Sequence, residues 1–516
     1  MKLSELIDGI DPIRVVPPES ATASQEYDPV IASVHYQSQT VLPGGLFVAM
    51  VGQSADGHHY IEDAVNRGAV AVISQFTVDK RAATIIVKDS RKALAAVSSR
   101  FFGHPSSKLS IVGITGTNGK TTTSYILERI LREAGFTVGV IGTVEYRYGG
   151  HVTQSRMTTP ESLDLQKMLA EMAENGVTHV VMEVSSHAVW FNRVHNCWID
   201  VGVFTNFSQD HLDFHHDLER YWECKKKLFT EYLSSGPKSR TATAVINCDD
   251  ANGSALSNQI STKQLSVGLN PDRDIGLTWF ETGLCGISGK LTTPKGSTPV
   301  RSDLVGRFNA ENILCAAGAA MALNVPLPAV AAGIAAASRV PGRLEPIEND
   351  RQIHIYVDYA HTPDALENVL RHLAALKTAR IICVFGCGGD RDTGKRPQMG
   401  EIAAKWCDLT VITTDNPRSE APLHIIRQVE NGAKKCARPI SGAEPAGKAC
   451  GKGYVIEPDR KKAICLGIRL AGPGDIVLIA GKGHETYQII GNRIHPFDDR
   501  IVAGETVRNP FKATIE

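Results

Sequence analysis

The sequence lacks an excess of charge of either sign. Lysine plus arginine and aspartate plus glutamate number 55 each, so no global field attracts nucleic acid or an anionic membrane. It also lacks CxxC pairs: its eleven cysteines are scattered, which favours reduced thiols in a cytoplasm over a disulfide framework or a zinc knuckle. The N-terminal MKLSELIDGI has no apolar signal-like core, and no apolar run approaches the length of a membrane span. These absences predict a cytoplasmic protein whose partners are small molecules.

The spacing of apolar segments predicts an α/β fold with more than one domain. With 516 residues the chain is long enough for about three domains. Strand-helix alternation from Ser110 onward predicts a P-loop-like parallel sheet, and its resumption after Pro341-Gly342 predicts a second, doubly wound sheet. The predicted domains are a small N-terminal α/β domain, the central domain and the C-terminal domain, over residues 1–106, 107–345 and 346–516.

Two segments carry local predictions that the structure can test. Residues 137–144 are apolar and are interpreted as one strand of the central sheet. Residues 434–453 are rich in Lys, Gly, Ala and Pro without apolar periodicity, and are interpreted as a surface loop.

A phosphate cradle is the most informative motif. Residues 113–123 read GITGTNGKTTT, a strand that opens directly into a helix. Glycines there let backbone N–H groups approach an anion at the helix N-terminus, while Lys120 supplies a charge for terminal phosphates and Thr121 a hydroxyl for magnesium. The strict P-loop pattern requires glycine five residues before Gly119, where this chain has Ile114.

Polar residues at two further strand ends are expected to join this cradle. Glu183 ends the strand of VTHVVMEVSS, and Asp210 and His211 follow the next strand in TNFSQDHLDFHHD. His211 and His215 have zinc-like spacing, but no cysteine or second histidine pair completes a tetrahedral set, so magnesium with oxygen ligands is favoured. Lys225 is the first of three consecutive lysines, and on its own it is interpreted as a solvated helix residue.

Four polar loops follow strands of the last third: DYAHTP, GCGGDRDTGKRP, TTDNPRSE and GKGHE. Such loops meet at one edge of a parallel sheet, where ligands bind. Arg391 and Arg418 lie in two of them and are suited to bidentate binding of carboxylates.

Taken in order, TGTNGKTT, MEVSSHA, TNFSQDHLDFH, the lysine of YWECKKKLF, FNAEN, PGRLE, DYAHTPDAL, GCGGDRDTGKRP, DNPR and GKGHE resemble the motifs of the Mur ligases of bacterial cell-wall synthesis. The resemblance runs from about Gln37 to Arg500. Within the family it is strongest to the members that add meso-diaminopimelate to UDP-N-acetylmuramoyl-L-alanyl-D-glutamate. It implies that the three domains bind the UDP-sugar, ATP and the incoming amino acid in turn.

The resemblance also assigns roles to individual positions. For ATP it implies Gly116, Thr117, Asn118, Gly119, Lys120, Thr121, Thr122, Asn309, Asn312, Arg343 and Asp358. For magnesium it implies Thr121, Glu183, His211 and Lys225, the last as a carbamate, which reverses the interpretation of Lys225 as a solvated residue. Lys120, Glu183, His211 and Lys225 are the implied catalytic set. For the UDP-muramoyl-dipeptide it implies Ser38, Thr158, Thr159, Ser185 and Arg193, and for diaminopimelate Arg391, Asp415, Asn416, Arg418, Gly481 and Glu485.

Two sites depart from the family pattern. Gln37-Ser38-Gln39 stands where Asp-Ser-Arg is frequent, and Phe191 stands where glutamine is common in the sugar-peptide site. The ATP motifs are intact.

The expected reaction is amide formation through an acyl phosphate, by a monomer that uses ATP and Mg²⁺. Alternatives are a lysine-adding relative, a folate polyglutamylating relative, a binding-only paralogue and an ATPase that needs no acceptor. Arg418 disfavours the lysine-adding alternative, because lysine lacks the distal carboxylate that this arginine would bind. The base that deprotonates the attacking amine stays unassigned.

Overall fold

Among the residues described by the computed structural model, 1–21, 27–52, 55–76, 79–270, 272–440 and 452–509, the strands form three large sheets and two small ones. The fold is α/β, as predicted, with one large sheet in each third of the chain. No helix in these ranges is long and apolar enough to cross a bilayer.

The N-terminal sheet has the order β1-β5-β4-β3-β2, and only the β1–β5 pair is antiparallel. Its strands and helices are β1 (Arg14–Val16), β2 (Ser33–His35), β3 (Gly45–Val48), β4 (Ala69–Ser74), β5 (Ala83–Ile86), α1 (Leu3–Ile7), α2 (Ile61–Asn66) and α3 (Ser90–Phe101).

The central sheet has the order β13-β12-β11-β6-β10-β7-β8-β9 and is parallel from β13 to β7. A separate antiparallel sheet, β14-β15-β16, packs on the same domain. The elements are β6 (Ser110–Thr115), α4 (Lys120–Glu133), β7 (Val138–Ile141), β8 (Glu145–Tyr148), β9 (His151–Gln154), α5 (Ser162–Glu174), β10 (His179–Glu183), α6 (Ser186–Trp190), β11 (Val201–Phe204), α7 (Leu212–His215), α8 (Leu218–Lys227), β12 (Thr243–Asn247), α9 (Ala251–Ser257), β13 (Lys263–Val267), β14 (Gly276–Gly283), β15 (Gly286–Thr293), β16 (Gly296–Ser302), α10 (Arg307–Ala322) and α11 (Leu327–Ala336).

The C-terminal sheet has the order β17-β18-β23-β19-β20-β22-β21 and is parallel except for β17. A β24–β25 hairpin extends from it. The elements are β17 (Glu345–Ile347), β18 (His354–Asp358), α12 (Pro363–Leu376), β19 (Ile381–Phe385), α13 (Lys395–Trp406), β20 (Leu409–Ile412), α14 (Pro422–Ala433), β21 (Arg438–Pro439), β22 (Gly453–Ile456), α15 (Arg460–Leu470), β23 (Ile476–Ala480), β24 (Tyr487–Ile490), β25 (Arg493–Pro496) and α16 (Asp499–Arg508).

The strand predicted at 137–144 is too long. β7 ends at Ile141, and after Val144 the chain turns into the antiparallel β8–β9 hairpin. At Gly142 a Cβ atom would lie 2.5 Å from the Glu183 carboxylate, so the chain turns over this side chain instead of continuing the strand. The antiparallel β14–β16 sheet was not predicted at all.

The segment interpreted as a loop, 434–453, is described only at its two ends, because residues 441–451 lie outside the described ranges. Those ends pair with each other as β21 and β22. The boundary predicted between residues 345 and 346 falls inside β17, which belongs to the C-terminal sheet.

The strand order explains where polar side chains collect. β6 lies between β10 and β11, and all three are parallel, so the P-loop, Glu183 and the segment after Phe204 emerge at one sheet edge. The predicted convergence of these three strands is confirmed. In the C-terminal sheet β18, β23, β19 and β20 are likewise neighbours, and the four predicted polar loops follow them.

Candidate active site

The P-loop can form only because glycine occupies two of its positions. Gly116 and Gly119 have φ angles of 147° and 85°, backbone conformations that residues with a Cβ atom rarely adopt. A Cβ on Gly116 would lie 1.9 Å from Thr205 Oγ1, and one on Gly119 would lie 2.1 Å from Asn312 Oδ1. Thr205 and Asn312 therefore press against the loop, which leads directly into α4.

Two lysines meet at one carbonyl group of this loop. Lys120 Nζ donates to the Gly116 and Thr117 carbonyl oxygens at 2.8 and 2.9 Å, and Lys225 Nζ donates to Gly116 O at 2.7 Å. Burial lowers the pKa of Lys120, and burial together with the charge of Lys120 lowers the pKa of Lys225 well below its usual value. Lys225 is only 2% exposed, so its interpretation as a solvated helix residue is wrong.

Glu183 is held at the mouth of the P-loop by three donors. Its Oε1 accepts from Thr143 N at 2.9 Å, and its Oε2 accepts from Thr143 Oγ1 at 2.9 Å and Thr121 Oγ1 at 3.1 Å. Mg²⁺ prefers oxygen ligands, and the Glu183 carboxylate and the Thr121 hydroxyl are ligands of this kind. No group of three or more His, Cys, Asp or Glu side chains in the described ranges could hold a metal ion, so a cation needs further ligands from phosphate or water.

His211 faces the same region from the loop after β11. Its backbone is left-handed, with φ 53°, and Asp210 accepts from the His211 backbone N–H at 2.8 Å. Burial lowers the pKa of the His211 imidazole, and Asp210 opposes that shift. The ring lies 5.0 Å from that of His187 and 6.0 Å from that of Tyr221.

One cavity of about 470 Å³ joins most of these groups. Among the predicted site residues that line it are Lys120, Thr121, Glu183, His211, Lys225, Asn312, Arg343, Asp358, Thr158 and Ser185. Thr117, Asn118, Gly119 and Thr122 of the P-loop line it as well.

Of the two predicted asparagines on α10, only one reaches the cavity. Asn309 is 1% exposed; its Nδ2 donates to Val305 O at 2.8 Å and its Oδ1 accepts from Asn312 at 3.0 Å. It is absent from the described lining, whereas Phe308, Glu311 and Asn312, three and four residues apart on one helix face, are part of it. Burial raises the pKa of Glu311 to about 7.

The C-terminal domain supplies the opposite wall. Arg343 Nη2 donates to Thr121 Oγ1 at 3.3 Å, and its guanidinium lies 4.6 Å over the Tyr359 ring. Asp358 accepts from the backbone N–H groups of Leu344 and Ala360, and burial raises the pKa of its carboxyl group. These contacts fix the Pro341–Leu344 linker against the end of β18.

Asp364, at the start of α12, bridges the two domains. Its Oδ2 accepts from Asn118 Nδ2 at 3.2 Å and from Ser208 Oγ at 2.7 Å. The P-loop and the loop after β11 are therefore both bound to the C-terminal domain through one carboxylate.

Three of the predicted sugar-peptide residues adjoin Glu183. Thr158 Oγ1 lies 3.1 Å from Thr143 Oγ1, and Thr159 Oγ1 donates to Glu183 O at 2.8 Å and accepts from Ser185 N at 3.2 Å. Arg193 lies beside them, with Nη1 3.2 Å from Thr159 O. Ser38 lies apart in the N-terminal domain, is 5% exposed and lowers the pKa of Asp63 by a hydrogen bond.

The predicted diaminopimelate residues form a second polar cluster on the C-terminal sheet. Asn416 Nδ2 donates to Glu485 Oε2 at 2.9 Å, and Lys482 Nζ donates to the same oxygen at 2.8 Å and to Asn416 Oδ1 at 3.2 Å. At Gly481 a Cβ would lie 2.7 Å from Asp415 Oδ2. The predicted residues therefore contact each other in two pairs, Asn416 with Glu485 and Asp415 with Gly481.

The two predicted arginines border this cluster in different states. Arg418 has a left-handed backbone, with φ 50°, and its Nη1 donates to Gly389 O at 2.7 Å. Arg391 is exposed and donates to Asp390 O at 3.3 Å. Both lie on the loops that follow β19 and β20.

Several residues that contribute to the cavity or to the amino-acid cluster were not predicted from the sequence. Lys482 is fully buried in the amino-acid cluster, Thr143 holds Glu183, Asp364 bridges two domains and Glu311 lines the cavity. Lys482 and Asp364 lie within the motifs GKGHE and DYAHTPDAL, so their position at strand ends was a usable signal. Thr143 had no signal, because it depends on where β7 stops.

Three family models together match most of the chain. The Mur ligase middle domain matches residues 114–320, the glutamate ligase domain of Mur ligases matches 342–483, and the catalytic domain of the Mur ligase family matches 30–102.

The chain is also similar to named proteins over most of its length. It is 46% identical to a UDP-N-acetylmuramoyl-L-alanyl-D-glutamate–2,6-diaminopimelate ligase of Geobacter metallireducens, over 95% of this chain and 96% of that protein. The enzyme of the same name from Geobacillus kaustophilus is 42% identical over 93% and 96%.

Solved structures agree. One of a UDP-N-acetylmuramoyl-L-alanyl-D-glutamate–2,6-diaminopimelate ligase superposes with a TM-score of 0.65 at 32% identity, covering 93% of this chain and 95% of the other. The MurF ligase of Thermotoga maritima in complex with ADP has a TM-score of 0.59 at 20% identity, over 94% and 98%, and shows the shared fold.

Proposed function

The chain belongs to the Mur ligase family, and from this premise we propose that it is an ATP-dependent amide ligase. It adds meso-diaminopimelate to UDP-N-acetylmuramoyl-L-alanyl-D-glutamate in the synthesis of peptidoglycan precursors. The observation that carries the proposal is the single cavity lined by Lys120, Glu183 and Lys225 together with Thr158 and the C-terminal Asp358. The P-loop, the Glu183 carboxylate and two of the residues proposed to bind the sugar-peptide, Thr158 and Ser185, share one space there.

The first chemical step is transfer of the γ-phosphoryl group to the D-glutamate carboxylate. Two anions have to approach each other, so the protein has to offset their repulsion as well as the charge on the transferring group. Lys120 lies at the P-loop, and Arg343 reaches Thr121 from the linker that precedes the C-terminal sheet. Both cations are fixed before the substrates arrive, which lowers the cost of reorganisation.

Glu183 and Thr121 are the residues proposed to hold Mg²⁺, with His211 and a carbamylated Lys225 at a second position. When bound, Mg²⁺ spreads the negative charge of the phosphate oxygens. Lys225 suits carbamylation because carbon dioxide adds to a neutral amine, and burial lowers the pKa of this one. The carbamate would replace a cation by an anion beside Gly116 O.

The second step is attack of the amine of diaminopimelate on the acyl phosphate, which forms the amide and expels phosphate. Asp415, Asn416 and Glu485 are proposed to bind the distal ammonium, and Arg418 the carboxylate beside it, with Arg391 at the rim. Lysine lacks that carboxylate and would leave Arg418 unpaired. Such a loss amounts to about 1–3 kcal/mol, enough for strong discrimination.

The remaining roles follow the same proposal. Asn312 and the P-loop residues bind ATP, Thr158, Thr159, Ser185 and Arg193 bind the muramoyl-dipeptide, and Ser38 contacts the uridine end. Asn309 supports Asn312 through a hydrogen bond instead of touching the nucleotide. We expect a monomer in the cytoplasm, where ATP and nucleotide sugars are made.

Phosphate release from ATP tests the proposal directly. The enzyme is given UDP-N-acetylmuramoyl-L-alanyl-D-glutamate with meso-diaminopimelate, with L-lysine or with no amino acid. Release with diaminopimelate alone is the expected result. Release with lysine would overturn the role of Arg418 while keeping the ligase mechanism, and release without any acceptor would favour an ATPase.

A further inference from the structure

Phe191 lies between two arginines at the boundary of the N-terminal and central domains. The guanidinium carbon of Arg91 is 4.5 Å from the centre of the Phe191 ring, and that of Arg193 is 5.5 Å from it. Arg91 belongs to α3 of the N-terminal domain, whereas Phe191 and Arg193 follow α6 of the central domain. One ring therefore contacts cations from both domains.

Glu161 binds the same two arginines. Its Oε1 accepts from Arg193 Nε at 2.9 Å, and its Oε2 lies 3.3 Å from Arg91 Nη1. The three side chains are 12–17% exposed, so these ion pairs are shielded more than surface pairs are. Both guanidinium groups are thus fixed by a carboxylate and by an aromatic ring.

A hydrogen bond between side chains anchors the same segment to α3. Asn192 has a left-handed backbone, with φ 54°, and its Nδ2 donates to Asp89 Oδ2 at 3.1 Å. Asp89 is the N-cap of α3, where its other oxygen accepts from two backbone N–H groups. Residues 191–193 are therefore attached to the start of α3, next to Arg91.

The position of Arg193 matters for the substrate. Its Nη1 donates to Thr159 O, and Thr159 in turn contacts Ser185 and the carbonyl of Glu183. A small displacement of the guanidinium would separate it from the sugar-peptide residues, whereas the P-loop contacts do not pass through it. Phenylalanine offers no hydrogen-bonding atom of its own, so its side chain acts on a polar substrate through the arginines.

We propose that Phe191 is a positioning residue: it holds Arg193 and Arg91 across the domain boundary in the orientation that binds the muramoyl-dipeptide. This inference rests on the proposed function, because the muramoyl-dipeptide is taken as the substrate. At this position an aromatic face takes the place of the glutamine that is common in the family. It also brings Arg91 of the N-terminal domain into the binding site.

Steady-state kinetics of Phe191→Leu and Phe191→Tyr test the proposal. Leucine keeps an apolar side chain but removes the π face, so KM for UDP-N-acetylmuramoyl-L-alanyl-D-glutamate should rise about three- to tenfold. The kcat and the KM for ATP and for diaminopimelate should stay within about twofold. Tyrosine keeps the π face and should restore KM for the muramoyl-dipeptide.

Two further variants guard against a purely structural explanation. Phe280→Leu removes a ring that lies 5.7 Å from the Arg307 guanidinium, outside the lining of the cavity, and should leave KM for the muramoyl-dipeptide unchanged. Arg91→Met keeps the aliphatic stem and should raise the same KM as Phe191→Leu, with the double variant no worse than the more affected single one.

The outcomes separate the inference from the function. An inactive wild type would overturn the proposed function itself. An active wild type with unchanged KM values in Phe191→Leu, or with all three KM values and kcat affected alike, would overturn only the positioning role. If Phe191→Leu does not fold, Arg91→Met alone decides: a selective rise in KM for the muramoyl-dipeptide supports the role, and no change contradicts it.

Discussion

The phosphate cradle of the central domain and the amino-acid cluster of the C-terminal domain both lie where parallel strands end. They differ in the groups that accept hydrogen bonds from their lysines. Lys120 and Lys225 donate to backbone carbonyl oxygens of the P-loop. Lys482 donates to the side chains of Asn416 and Glu485. The cradle thus keeps one cation, Lys120, whose hydrogen bonds go to neutral carbonyl oxygens, whereas the cluster pairs Lys482 with the carboxylate of Glu485.

This difference matches the charge of the proposed ligands. A triphosphate is an anion and gains most from cations that no carboxylate has neutralised. Diaminopimelate carries an ammonium beside a carboxylate at its distal end, so a pocket with both signs can exchange its internal pairs for pairs with the ligand. The hydrogen-bond partners of Lys120 and Lys482 therefore indicate whether each proposed ligand is an anion or carries both charges.

The largest expected effect comes from removing the second lysine of the cradle. Lys225→Ala should lower kcat at least about a hundredfold, because the proposed carbamate ligand is lost. Adding a small carboxylate such as formate should restore part of the activity. Turnover measured with and without formate checks this prediction.

Lys226 is the matched control, since it is the next residue and pairs with Glu223 at the surface. Lys226→Ala should retain wild-type activity. Full activity of unsupplemented Lys225→Ala would contradict the cradle half of the comparison.

The second effect concerns the amino-acid cluster. Arg418→Ala should raise KM for diaminopimelate on the order of a hundredfold, because a bidentate bond to a carboxylate is lost. KM for ATP should change little, since Arg418 contacts Gly389 and not the cavity of the cradle. Kinetics with each substrate varied in turn measure both constants.

Arg391→Ala sharpens the same test. Arg391 is exposed, so its removal should affect KM for diaminopimelate less than removal of Arg418. Equal increases in KM for ATP and for diaminopimelate in Arg418→Ala would show that the two sites are not separate in the way described.

The smallest expected effect is a pH dependence of stability due to Glu311, which differs from Glu485 in having no lysine partner among the contacts described above. Glu485 is paired with Lys482, whereas Glu311 lines the cavity and burial raises its pKa from 4.5 to about 7. Between these two values the unfolded chain has lost the proton and the folded chain retains it, so stability falls as pH rises through this window. Relative to Glu311→Gln, the wild type should therefore lose about 1–3 kcal/mol of unfolding free energy between about pH 5 and pH 8.

Urea unfolding of both proteins at the two pH values measures this difference. Glu174, exposed at the end of α5, provides the control substitution Glu174→Gln. A constant gap between wild type and Glu311→Gln across the pH range would rule out the raised pKa.

The sequence predicted what depends on strand ends and failed where packing decides. The P-loop, Glu183 and the four C-terminal loops follow strands, and parallel sheets bring such ends together. Which of three consecutive lysines is buried depends on how α8 packs, so helical spacing alone did not single out Lys225, which only the resemblance to the Mur ligases identified before the structure showed its burial. The same holds on α10, where Asn309 points inward and Glu311 lines the cavity.

The elements that were missed have the same cause. The strand predicted from residue 137 ends early because Gly142 has to pass over the Glu183 side chain, a contact between segments forty residues apart. The β14–β16 sheet packs its apolar face on the central core, but its strands are rich in glycine, threonine and serine and carry few apolar side chains, so their local signal was weak.

The bridge made by Asp364 has a consequence for how the chain can be divided. One wall of the nucleotide cavity comes from the C-terminal domain, and its carboxylate binds a side chain of the P-loop. A central domain produced on its own would keep the glycine-rich sequence but lose the wall that Asp358, Tyr359, His361 and α12 supply. The site thus needs both domains in one polypeptide. Fusing either domain alone to another protein would not transfer it.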